Sequence, residues 1–239
     1  MKKFSFLFLA LLAGITVSAQ NSLLNKAKDA LKKTTGSGST LSTEEVVSGL
    51  KEALSVGAKN STGKLSAADG FFKDAAVKIL MPEQVQKVEK KMRMLGMGKL
   101  VDNTILSMNR AAEDAAVSAT DIFIRAIKGI SINDAMGILR GKDTAATGYL
   151  RTATTAELTA AFRPIVEASL AKVDATKYWK DFFTAYNKLS SDQVNTDLTS
   201  YVTERALKGI FYYVAEEEKK IRKDPAARVS DILKKVFAS

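Results

Sequence analysis

Asn109, Arg110 and Glu113 sit close together in a stretch whose apolar residues recur at helical spacing. Arg110 and Glu113 are three apart, so they share a helix surface and can pair. Two readings are open for the group. It is a polar site facing a cleft between helices, or an ion pair at a helix interface, and structural networks often resemble sites. A second charged run, Glu216-Glu217-Glu218-Lys219-Lys220-Ile221-Arg222-Lys223, ends a long helical pattern. Glu216 with Lys220 and Glu218 with Arg222 are i,i+4 pairs in the favourable orientation. Glu217 and Glu218 flank the apolar stripe of Ile210, Val214 and Ile221, so one of them should be partly buried. A buried carboxylate needs a cation. Arg110, Arg151 and Arg228 are the candidates, and an Arg110–Glu218 pair is the specific expectation. The polar turn Gly141-Lys-Asp-Thr-Ala-Ala-Thr-Gly148 opens another helix, followed by Tyr149 and Arg151. Its start could hold an anion. The plainer reading makes Gly141 a C-cap and Asp143 an N-cap.

The zeros restrict the chemistry more than the candidates define it. The 239 residues include no Cys and no His. That removes disulfides, thiolate nucleophiles, zinc-cysteine sites, and both Ser-His-Asp and Cys-His machinery. The usual general base near neutral pH is missing as well. Paired carboxylates could still hydrolyse glycosides, but no extended sugar-binding aromatic pattern accompanies them. No P-loop glycine spacing and no EF-hand loop occurs, and no cofactor or metal is expected.

These residues must be positioned by helices. Ser42-Thr-Glu-Glu45 is a capping box, followed by Val46, Val47, Leu50, Ala53 and Leu54 at the spacing of a buried face. Gly57 to Gly63 is expected to close that helix. A short helix is expected over 66–78, carrying Phe71, Phe72 and Val77. Pro82 suits a helix start, and Gly96-Met97-Gly98 suits its end. Further helices are expected over 99–118, 121–128, 131–140 and 144–151. Thr154 with Glu157 repeats the capping pattern, and Pro164 predicts a kink or break near 160–164. Residues 175–189 hold the densest aromatic cluster, around Trp179, read as core. The longest helix is expected over 197–223, and Asp224-Pro225 introduces a last one. No stretch shows period-two alternation, so the fold class is all-α, a compact multi-helix bundle-like domain without a sheet.

Residues 1–19, MKKFSFLFLALLAGITVSA, join a basic start to an apolar run that ends on small residues, and they read as a secretory signal peptide. Residues 20–40 read as a basic flexible stem, with Lys26, Lys28, Lys32 and Lys33 around Leu23, Leu24 and Leu31 before a Gly/Ser linker. Residues 41–239 then form a single helical domain. The net charge of +10 is spread along the chain rather than gathered in one aromatic-laced patch. Nucleic acid is therefore not an expected partner. An anionic membrane surface or another acidic envelope component, met through the stem, is.

Four stretches, residues 49–60, 82–115, 141–151 and 201–237, together resemble the bacterial family known only as domain of unknown function 4197. The resemblance runs in order over about residues 41–238. It implies export to the periplasm or outer envelope of a Gram-negative bacterium, and it implies no reaction. The functional expectation is a non-enzymatic envelope protein that binds a lipid, small ligand or protein partner in an interhelical groove. The alternative is an envelope hydrolase using Asp/Glu or Ser/Lys chemistry. An apolar groove favours the first, and a polar cleft with two spaced carboxylates favours the second.

Overall fold

A computed structural model of the protein describes residues 42–172, 175–189, 193, 196–224, 230, 234 and 236. Within 175–189 the side chains of Tyr178, Asp181, Phe182, Ala185, Tyr186 and Leu189 are outside that description. The expected leader and stem, Arg228, and almost all of the expected last helix also lie outside the described residues.

Eight α-helices and one 3-10 turn follow one another, and no strand occurs among the described residues. They are α1 (Thr43–Ser66), the 3-10 turn Glu83–Val85, α2 (Gln86–Met94), α3 (Gly98–Ala116), α4 (Ala119–Lys128), α5 (Ile132–Leu139), α6 (Ala145–Ala171), α7 (Ala175–Leu189) and α8 (Leu198–Lys223). The long helices α6 and α8 pack on each other, and α3 and α1 pack against both or one of them. Helices α4 and α5 cover α1 and α6, α7 lies on α6 and α8, and α2 rests on α3. One apolar core runs through these contacts, with Phe71, Phe123, Phe162 and Phe211 almost wholly buried. Phe123 meets Phe211 edge to face at 5.7 Å, a favoured aromatic arrangement.

Both expected starts at Ser42 and Ser131 form reciprocal capping boxes, Ser42 with Glu45 and Ser131 with Asp134. The end of α2 at Gly96 is also as expected. Gly96 adopts φ +81°, its N–H donates to the Arg93 carbonyl, and the Met97 N–H donates to the Met92 carbonyl. This is the Schellman pattern, which satisfies two otherwise orphaned carbonyls.

Four local expectations are corrected. α1 does not close at Gly57–Gly63 but continues to Ser66, because Gly57 serves contact rather than termination. A Cβ there would stand 3.3 Å from the Glu217 Cβ on α8. Pro164 does not break α6, which runs unbroken through it. Pro inside a helix costs about 3 kcal/mol, and the buried row Leu158, Phe162, Val166 and Leu170 on that helix outweighs it. Thr154 does not start a helix either. It lies mid-helix and buried, and its hydroxyl donates back to the Leu150 carbonyl at 2.6 Å. Finally, residues 67–82 form turns instead of a helix. Asp69 sits in the left-handed region at φ 68°, which Asp tolerates better than most residues. Phe71 is driven against Gly209 of α8, where a Cβ would stand 2.6 Å from its ring. Gly209 is what lets that ring into the core.

Candidate functional site

Most of the described residues singled out from the sequence fall into two separate groups, each tying backbone at a helix end or in the 67–82 turns to a helix. The first surrounds Glu218. Its side chain is 4 % exposed and projects from α8 onto the start of α6. It accepts from the Ala146 N–H at 3.0 Å, the Thr147 N–H at 2.8 Å and the Thr147 hydroxyl at 2.8 Å. These are N–H groups that a helix start leaves without partners, and a carboxylate there also meets the positive end of the helix dipole. Arg222 pairs with Glu218 at 2.9 Å and donates to the Ile138 carbonyl at 2.8 Å, at the end of α5. One ion pair on α8 thus caps the end of one helix and the start of the next. The anion at this helix start is the protein's own.

The expected Arg110–Glu218 pair is not formed. Each residue has a partner on its own helix, Glu113 for Arg110 and Arg222 for Glu218, and these short-range pairs occupy both. Asp143 is not the N-cap of α6. Thr144 stands there without a side-chain cap bond, Glu218 takes the amide role, and Asp143 pairs with Lys223 at 2.6 Å. Arg151 stacks over the Phe211 ring at 4.7 Å, and Tyr149 is half-buried against the core. Glu217 accepts from the Asn60 amide at 2.8 Å, joining α8 to α1.

The second group, on α3, straps down residues 67–82. Buried Glu113 accepts from the N–H groups of Phe71 at 3.0 Å and Phe72 at 3.1 Å. Its other oxygen takes Arg110 at 2.6 Å, and Arg110 reaches Asp69 at 2.6 Å. Buried Asn109 accepts from the Ile79 N–H and donates to the Ile79 carbonyl, both at 2.8 Å. A side-chain amide that satisfies both backbone groups of one residue replaces the strand or helix partner the segment lacks. Asp74, on the same segment, accepts from Tyr213 and pairs with Lys64 at 2.9 Å. The α3 group is therefore an interface network, the second of the two readings open at the outset.

The carboxylates of this network should make it sensitive to acid. Hydrogen bonds from Lys73 and then Arg110 hold the Asp69 carboxyl below its usual value of 3.8. Burial opposes ionisation of Asp74, but bonds from Tyr213 and Lys64 outweigh it and also leave that carboxyl lowered. A depressed folded-state pKa contributes stability that is complete above the ordinary value and is lost as pH falls through the folded one. The urea midpoint should thus hold steady from neutrality to about pH 5 and then fall. In Asp69→Asn the fall should be shallower. Superimposable pH profiles for the two proteins would remove Asp69 from the account.

An apolar groove lies open elsewhere among the described residues. The 3-10 turn and α2 on one side, the first half of α3 beneath, and α7 opposite enclose a groove of about 1000 Å³. Its wall is apolar, with Val85, Val101, Trp179 and Phe183 buried at the floor and Met81, Met92 and Met97 along the sides. Trp179 and Phe183 rings lie 4.5 Å apart, and Trp179 stacks on Tyr201 at 6.0 Å. The expected core role of Trp179 is correct, yet the same ring faces the groove. Polar atoms are few: Glu89, Lys91, Asn103, Thr104 and Ser107. Glu89 is held by Arg93 at 3.0 Å, and Arg93 also takes Asp102 at 2.8 Å. None of the nine described residues expected to bind lines this groove, and the tenth, Arg228, lies outside the described residues. The signal that could have found it is α2 itself: its apolar residues are too few for its charge, and none of its residues is buried.

Neither a curated protein nor a solved structure matches the chain. Residues 40–238 match the model of the family described as protein of unknown function (DUF4197), and the chain belongs to that family.

Proposed function

We propose that this protein is a non-catalytic binding protein of the bacterial envelope whose groove between α2, α3 and α7 holds the apolar tail of an amphiphilic ligand. One observation carries the reading, namely an apolar trough of about 1000 Å³ with few polar groups. That volume is at the upper end of the roughly 300–1,000 Å³ common for small-molecule sites. Three methionines in the wall suit it to ligands of varied shape, because the thioether chain is flexible and polarisable. Lys91 at the edge favours an anionic head, such as a carboxylate on a single acyl chain. The leader-like residues 1–19 support the envelope as the place of action. The hydrolase alternative gains no support from the buried carboxylates, since Glu113 and Glu218 spend their oxygens on backbone N–H groups and arginines.

Trp179 is the only tryptophan in the chain and fronts the groove, so its fluorescence reports occupancy directly. Titration with a brominated dodecanoate should quench it saturably. Val88→Asp, which places a carboxylate on the groove wall, should abolish the saturable component. Quenching that rises linearly without saturation in the wild-type chain would refute groove binding.

A further inference from the structure

The hairpin between α2 and α3 carries large apolar side chains that stay exposed. Met94 and Leu95 are each 78 % exposed, Met97 43 % and Leu100 44 %. The Schellman turn at Gly96 fixes them at the end of a hydrogen-bonded hairpin rather than leaving them on a loose loop. Leu95, Met97 and Leu100 border the groove mouth, whereas Met94 does not line it. Residues at i−3, i−4 and i−7 share a helix face, so Lys91, Lys90 and Lys87 stand in a row behind Met94 on α2. Lys99 follows just beyond the turn. Among the described residues these four lysines have no carboxylate in ion-pair range, whereas Arg93 is taken by Glu89 and Asp102. A tip of protruding Met and Leu side chains backed one turn away by unpaired lysines matches the charge and layering of an anionic lipid surface.

We infer that the α2–α3 hairpin is a peripheral membrane-docking element. It inserts Met94, Leu95 and Met97 at the headgroup–acyl boundary of a bilayer bearing anionic lipid, while Lys87, Lys90, Lys91 and Lys99 meet the headgroups. An amphipathic element of this kind buries its apolar face about 5–10 Å into the boundary, about one to two helical turns. Lys90 and Lys91 are one turn back from the tip, level with the charged layer. Among the described residues no helix is long and apolar enough to cross a membrane. The groove mouth would then open at the lipid surface. This inference goes beyond groove binding and does not require it, because docking needs the exposed tip and its lysines but not an occupied groove.

The test is co-sedimentation of the protein, as it accumulates in cells, with vesicles of phosphatidylglycerol and phosphatidylcholine in equal parts. Pure phosphatidylcholine vesicles and a high-salt series run alongside. Binding to the anionic vesicles at low salt should be at least tenfold tighter than to neutral ones and should weaken as salt screens the lysines. Met94→Asp should reduce it at least tenfold. Lys87→Gln with Lys90→Gln should reduce it about 25-fold, the effect of losing two cations near such a surface. All three positions are exposed and outside the groove wall, so the variants should keep wild-type circular dichroism and wild-type Trp179 quenching by brominated dodecanoate. Equal binding to neutral and anionic vesicles would overturn the inference. So would undiminished binding by Met94→Asp, which would move the contact to another part of the chain such as the basic residues 20–40. Loss of dodecanoate quenching in the wild-type chain would count against groove binding alone.

Discussion

Glu218→Ala should be the most damaging single substitution of a charged residue in this protein, lowering unfolding free energy by about 3–5 kcal/mol, the cost of breaking a buried pair from one side. Two separate losses add. The Ala146 and Thr147 amides at the start of α6 lose their acceptor, and Arg222, 12 % exposed, loses its pairing with the Glu218 carboxylate. A domain of this size loses about 2–4 °C in melting temperature per kcal/mol, so thermal denaturation should show a drop of roughly 6–20 °C. Glu218→Gln keeps one acceptor oxygen and should lose clearly less. Arg222→Ala made together with Glu218→Ala should be less harmful than the sum of the two, with a coupling above about 1 kcal/mol, as neighbours in one network show. Strict additivity would mean that the two residues stabilise the fold independently and that the bracket between α5 and α6 has no energetic reality.

Glu113→Ala comes second. It leaves the amides of Phe71 and Phe72 without an acceptor, one buried and one partly so, and leaves Arg110 with Asp69 alone. Each orphaned buried donor costs about 1–3 kcal/mol, so the loss should be about 2–5 kcal/mol in all. Arg110 is 39 % exposed and regains water, which keeps this below the Glu218 effect. The more telling readout is local. Hydrogen exchange at Phe71, Phe72 and Ile79 should quicken in Glu113→Ala while exchange in the middle of α6 and α8 keeps its ranking, because the strap opens before the helix pair it covers. Uniform acceleration along the whole chain would contradict a local strap.

Both effects belong to residues whose importance, though not whose role, was legible in the sequence. Partial burial of one of Glu217 and Glu218 followed from the apolar stripe they flank, and for Glu113 the sequence offered a cleft site or an ion pair at a helix interface. The i,i+3 and i,i+4 pairs with Arg110 and Arg222 also followed from spacing, since helix geometry alone brings such positions together. What each carboxylate does with its second set of lone pairs did not follow. The start of α6 is 71 residues from Glu218 at Thr147, and Phe71 is 42 residues from Glu113. No local rule connects positions that far apart.

The sequence by itself determined the all-helical class, most helix boundaries, the capping boxes at Ser42 and Ser131 and the turn at Gly96, because each depends on contacts within a turn or two of chain. The tertiary structure alone decided that Gly57 and Gly209 are points of close approach, that Pro164 is carried inside α6, and that 67–82 is held as turns. It also decided where apolar surface stays open, between α2, α3 and α7. Those outcomes depend on which helix faces meet, and a stripe looks the same in sequence whether a neighbouring helix covers all of it or leaves a trough beside Trp179.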